Sequence, residues 1–166
     1  MVHAPDHSQP SASSHWNGHL EDPAATRRLG SRLAECLEPG MRLYFRGELG
    51  SGKSTLIRGL LRGLGLQEKV KSPTYTLVEL YVTSRLNLYH FDFYRFLDER
   101  EFVDAGLADT FRGKGVCLVE WPERAGSALP QPDLEFMLAY SGSGRSIAAH
   151  AQSPAGKRCL AICRGA

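Results

Sequence analysis

The sequence has no hydrophobic run approaching the ~20 apolar residues of a membrane span, which excludes a chain built of transmembrane helices. It has almost no charge imbalance. Twenty Lys and Arg stand against 18 Asp and Glu, a net +2, so electrostatics make no case for a nucleic-acid or membrane surface. No basic stripe with interleaved aromatics marks an RNA reader. No basic region leads into an apolar core at the N-terminus, so no secretory signal is read and a cytosolic setting is expected. Internal repeats are missing, and so is the N-K-x-D tetrad that reads guanine. The four cysteines, Cys36, Cys117, Cys159 and Cys163, lack a zinc-knuckle spacing and a nearby histidine, and are expected to be buried, reduced thiols. The 166 residues suffice for one sizeable core.

What is present is organised around Gly47-Glu48-Leu49-Gly50-Ser51-Gly52-Lys53-Ser54-Thr55, a match to G-x4-G-K-S/T. Gly47, Gly50 and Gly52 let the backbone curl until successive N–H groups face one anion. Lys53 supplies a point charge for β- and γ-phosphates. Ser54 offers a hydroxyl to Mg²⁺, which keeps most of its coordination for water and phosphate oxygens. The context is the required strand, loop and helix. Residues 41–46 read as a buried strand, and Leu56, Ile57, Leu60, Leu61 and Leu64 line one face of a helix. A nucleotide site follows, with ATP and Mg²⁺ as its expected occupants.

The rest of the chain is read around this motif. Residues 1–20, rich in His, Ser, Pro and Ala, read as a disordered extension, and residues 21–166 as a single P-loop domain. His3, His7, His15 and His19 read as a solvated tail. Asp22-Pro23 opens a helix with Asp22 as N-cap, and Ala25, Leu29, Leu33, Cys36 and Leu37 form its apolar stripe. Residues 76–82 and 86–94 read as an antiparallel hairpin. In the second strand Leu88, His90, Asp92 and Tyr94 share one face, Tyr89, Phe91 and Phe93 the other. Asp92 either faces the phosphates or is solvated on an exposed face. His90 reads first as a hydrogen-bonded structural histidine. Asp98 starts a helix that buries Phe102, Val103, Leu107 and Phe111. Val116 to Glu120, four apolar residues ending in an acid, has the form of a Walker B strand, whose carboxylate emerges beside the P-loop to orient metal or water. Residues 134–138, 147–150 and 158–162 read as further strands, with a turn at residues 141–145.

Taken together, GELGSGKST, VKSPTYTLVE, YHFDFYR and CLVEWPER, in this order, resemble the bacterial TsaE (YjeE) family, the P-loop ATPases of tRNA threonylcarbamoyladenosine biosynthesis. The resemblance runs from about Asp22 to the end and thins after Pro130. It implies a three-layer α/β P-loop NTPase fold, with a mixed, mostly parallel sheet, flanking helices and a β-hairpin. It implies a weak Mg²⁺-dependent ATPase regulated by two partners, a TsaD-like threonylcarbamoyltransferase and its TsaB-like dimerisation partner. The ATPase would support their repeated cycles on tRNA, not the transfer itself.

The same resemblance assigns Lys53 and Ser54 to phosphate and magnesium, and Asp92 and Glu120 to two functional acids. Thr74 becomes a candidate sensor of the γ-phosphate or metal in a switch-like Ser72-Pro73-Thr74 loop. Trp121 matches a tryptophan beside the site. Pro23, Thr26, Gly144 and Arg145 match segments that approach the base. Glu48 stands where Asp is usual, Ser51 where Ala is, and Ser54 where Thr is. Two other classes fit the motif: a small-molecule kinase, which would need a lid of clustered arginines that Arg95 and Arg100 do not form, and a nucleotide-gated binding module without meaningful catalysis.

Overall fold

The computed structural model describes residues 13–165. Seven strands form one sheet in the order β1-β7-β6-β2-β5-β4-β3. The strands are β1 (His15–Leu20), β2 (Arg42–Arg46), β3 (Val78–Val82), β4 (Asn87–Asp92), β5 (Val116–Glu120), β6 (Leu134–Ser141) and β7 (Gly144–Ala151). The four central strands β6, β2, β5 and β4 are parallel, and the hairpins β3–β4 and β6–β7 and the edge strand β1 are antiparallel. All five residues of β5 are buried, as a strand covered on both faces requires.

Helices α1 (Pro23–Leu33), α2 (Lys53–Gly63) and α4 (Pro154–Arg164) cover one face, where Leu33, Leu56, Ile57 and Leu60 pack on Leu43, Phe45, Leu118 and Phe136. The short α3 (Arg100–Asp104) and 3-10 turns cover the other with an aromatic cluster of Phe91, Phe93, Phe96, Phe102 and Phe111. These are the three expected layers, the second outer one thin.

Helix α1 starts as read: the Asp22 carboxylate accepts from Ala25 N–H and Pro23 occupies the first turn. It crosses α2 at very close range. A Cβ on Gly30 would lie 2.2 Å from Leu56 O, and one on Gly59 2.3 Å from Arg27 O. This contact ties the N-terminus of α1 to the P-loop at the head of α2.

Four expectations need correction. Residues 15–20 are not a disordered tail. They pair with β7, with Leu20 buried and Trp16 packed across Gly18 (alternation that the polar composition obscures). His15 stacks on His150 at 4.2 Å; His3 and His7 lie outside the described residues. Residues 158–162 belong to α4, not a strand. Ser153 caps that helix, Pro154 opens it, and Cys159, Leu160 and Cys163 follow helical spacing into the core. The helix expected from Asp98 stops at Asp104, ahead of Gly106 in a left-handed conformation (φ +69), and Val103, one residue round the helix from buried Phe102, is exposed. Cys36 and Cys159 are joined by a disulfide, with Cα atoms 5.3 Å apart, so only Cys117 and Cys163 are the buried free thiols expected. The 3-10 turn after α1 brings Cys36 to the face of α4 that carries Cys159, a juxtaposition invisible at a sequence separation of 123.

Candidate active site

The P-loop joins β2 to α2, the central strand to the helix behind it. Gly47, Gly50 and Gly52 all have positive φ (143, 76 and 106°), conformations that cost a side chain dearly. Space is denied as well. A Cβ on Gly47 would lie 2.4 Å from Leu138 O, and one on Gly50 2.4 Å from the Tyr140 hydroxyl. Ser51 is buried beneath the loop. Helices α1 and α4 carry side-chain caps, but Gly52 gives α2 none. The first-turn N–H groups of α2 and its positive dipole end are therefore directed at the loop.

Lys53 is buried and donates from Nζ to the carbonyls of Gly47 (2.6 Å) and Glu48 (2.9 Å). Its ammonium lies 4.5 Å from the ring centroid of Trp121. Trp121 has φ +57, an unfavourable left-handed conformation for an aromatic residue at the end of β5. Burial lowers the Lys53 pKa, against the pull of Glu120, Asp92 and Glu123.

The acids converge from the sheet. Asp92 at the end of β4 is paired in register with Glu120 at the end of β5, and both are buried. Ser54 Oγ donates to Glu120 Oε1 at 2.9 Å, and His90 Nε2 lies 2.8 Å from Glu120 Oε2. Asp92 accepts from the Tyr94 N–H at 2.9 Å and from Thr74 Oγ1 at 3.3 Å. Burial raises the Asp92 pKa and the charge of Glu120 adds to the rise; Tyr94, His90 and Thr74 only partly offset it. Burial also pushes Glu120 up, but the hydrogen bond and electrostatic pull of His90, the Ser54 hydroxyl and Lys53 outweigh it, so Glu120 lies below the usual carboxylate value.

The structure brings Leu49, Gly50, Gly52, Lys53, Ser54, Thr55, Thr74, Asp92, Glu120 and Trp121 to one open cleft of about 810 Å³. A second pocket, of about 420 Å³, shares Gly50, Gly52 and Thr55 with it and is walled by Pro23, Thr26, Gly144 and Arg145. The two hollows thus meet across the P-loop, one acidic and hydroxyl-rich, the other near the head of α1. Of the residues singled out in the sequence for the site, Gly47, Glu48 and Ser51 line neither hollow; the others line one or both. Two residues that line the cleft, Arg58 and Tyr94, were not singled out, nor was Tyr140, which braces the P-loop. Tyr140 donates to Leu49 O and stacks under Arg145, which in turn donates to Gly50 O. Extending the Leu134, Phe136, Leu138 alternation by two positions reaches Tyr140. Arg58 lies one helical turn after Ser54. Tyr94, already assigned to the Asp92 face, follows it into the cleft.

Ser54, Asp92 and Glu120 offer hard oxygen atoms, the donor set that suits Mg²⁺. Among the described residues no group of three or more His, Cys, Asp or Glu forms a metal cage. A cation here would be held mainly by phosphate and water, with one hydroxyl and a carboxylate from the protein. The glycine cradle and the uncapped α2 suit a phosphate chain.

Fold and site together define a three-layer α/β protein of the P-loop class. Residues 20–147 match the family described as "Threonylcarbamoyl adenosine biosynthesis protein TsaE". The chain is 40% identical over 147 residues to the tRNA threonylcarbamoyladenosine biosynthesis protein TsaE of Haemophilus influenzae, covering 86% of this chain and 93% of that one. It is also 40% identical over 121 residues to the TsaE of Bacillus subtilis, covering 73% and 75%. The crystal structure of Bacillus subtilis YdiB superposes with a TM-score of 0.74 at 32% identity, covering 91% of this chain and 93% of that one. The chain belongs to the TsaE family. Among the described residues no helix is long and apolar enough to cross a membrane.

Proposed function

We propose that this protein is a Mg²⁺-dependent ATPase, weak alone, that serves tRNA threonylcarbamoyladenosine formation in the cytoplasm by docking on a TsaB-like and TsaD-like pair. The observation that carries the reading is the convergence of Lys53, Ser54, Asp92 and Glu120 on one cleft at the mouth of a glycine cradle. Bound Mg²⁺ would neutralise phosphate charge and polarise the γ-phosphoryl oxygens. Lys53 leaves its loop carbonyls to meet the β- and γ-phosphates. Ser54, whose hydroxyl donates to Glu120 here, would offer it to the metal. Glu120 and Asp92 would help hold the metal and orient the attacking water for in-line displacement. Thr74, on Asp92, couples the Ser72-Pro73-Thr74 loop to the state of the cleft.

Pro23, Thr26, Gly144 and Arg145 border the neighbouring pocket and suit the base and ribose. Arg58 is the one arginine lining the phosphate cleft among the described residues, which argues against the arginine-rich lid of a small-molecule kinase. The test is steady-state ATP hydrolysis with Mg²⁺, alone and with the purified TsaB–TsaD pair. A rate that rises with the partners and disappears in Lys53→Ala and Glu120→Ala supports the proposal. A flat, near-zero rate despite nucleotide-dependent docking favours a nucleotide-gated module.

A further inference from the structure

His90 is 1% exposed, on β4 between Glu79 of the edge strand β3 and Leu118 of β5. One ring nitrogen faces Glu120 Oε2 at 2.8 Å; the other, Nδ1, has no hydrogen-bond partner among the described residues. A carboxylate can only accept, so the shared proton sits on Nε2. An orphaned polar atom in an apolar interior costs free energy, and an aliphatic side chain would fill the same space without it. What that side chain could not do is hold Glu120. The carboxylate has two anchors: His90 on Oε2 and Ser54 on Oε1. The Ser54 anchor is the one given up when the hydroxyl turns to a metal, and His90 is then the contact that keeps the carboxylate plane fixed.

We propose that His90 is a positioning residue for the hydrolysis. Its Nε2–H locks the rotation of the Glu120 carboxylate, so that Oε1 stays aimed at the phosphate cleft when Ser54 lets go. This rests on the ATPase reading above and deepens it. His90 is buried and does not line the cleft; it acts through Glu120, as partners of metal-site ligands do.

Two amide replacements separate positioning from packing. In His90→Gln the side-chain amide reaches as far as Nε2; in His90→Asn the same group falls one methylene short. The expected result is a fall in kcat of about tenfold or more in His90→Asn, with KM for ATP changed by no more than about threefold, and recovery of most of that loss in His90→Gln. With Glu120→Gln already present, His90→Asn costs nothing more. Thermal unfolding of each variant verifies the fold. In the nucleotide-free protein, ¹⁵N-histidine NMR shows a slowly exchanging His90 Nε2–H that is lost in Glu120→Ala. Equal losses in Gln and Asn, an additive double variant, or the lack of that protected proton each overturn the proposal. If the wild type hydrolyses no ATP with or without partners, it is the ATPase reading that fails, and the nucleotide-free NMR experiment alone decides the role of His90.

Discussion

Asp92 and Glu120 stand opposite each other, in register, at the C-terminal ends of neighbouring parallel strands, both withdrawn from solvent. Burial raises the pKa of Asp92, whereas His90, Ser54 and Lys53 overcome burial at Glu120 and lower it. One acid is poorly compensated in the nucleotide-free protein; the other is well held.

The two acids therefore predict opposite stability effects. Asp92 has a folded pKa above its unfolded value, so its ionised form costs stability at all pH above the folded value, and the cost fades as pH falls through it. Asp92→Asn keeps an acceptor for Tyr94 and removes the charge. Its melting temperature at pH 7.5 is expected to exceed that of the wild type by about 2–4 °C, equivalent to ~1 kcal/mol at this size. Scanning calorimetry should show the gap closing in acid.

Glu120 works the other way. Its depressed pKa contributes stability that is complete above the ordinary value of 4.5 and is lost as pH falls through the lower folded value. Glu120→Gln is expected to lose about 1 kcal/mol or more at neutral pH. Urea unfolding at a series of pH values should find wild type and variant converging in acid.

The α1–α2 crossing predicts a packing effect with a functional consequence. Gly30→Ala would drive a methyl group into the backbone of α2. A loss of about 1–3 kcal/mol is expected in urea unfolding. Because α1 carries Pro23 and Thr26 to the second pocket, nucleotide affinity should fall as well. Gly65→Ala, where a Cβ would meet nothing within 4 Å but φ is +87, should cost stability alone.

The disulfide predicts a thiol count. Unfolded without reductant, the protein should show two reactive thiols, Cys117 and Cys163; with reductant it should show four.

Much of this was legible in the sequence because the signals are local. Gly, Lys and Ser at P-loop spacing, the Asp22-Pro23 cap and the apolar run into Glu120 each state a backbone conformation or burial pattern within a few residues. Lys53, Ser54, Asp92 and Glu120 were legible for the same reason, each sitting at the end of a readable element; Arg58 and Tyr94, which also line the cleft, were not. What the sequence obscured was long-range. Residues 15–20 become a strand only because β7 offers an edge, and Cys36 meets Cys159 only when α4 docks. The Arg158 segment was misread because its short apolar cluster has no unique period; the Ser153-Pro154 cap decides it. The bond from His90 to Glu120 joins two strands that are adjacent only in the folded sheet.

The most direct test of the account is calorimetric titration of the protein with a non-hydrolysable ATP analogue, with and without Mg²⁺, in wild type and Lys53→Ala. In the proposed complex Lys53 would make charge-assisted contacts to the phosphates worth about 1.5–3 kcal/mol, so the account predicts Mg²⁺-dependent, one-to-one binding that weakens about 10- to 150-fold in Lys53→Ala. Equal affinity in the two proteins, or binding indifferent to Mg²⁺, would contradict the claim that Lys53, Ser54, Asp92 and Glu120 form a single nucleotide and metal site.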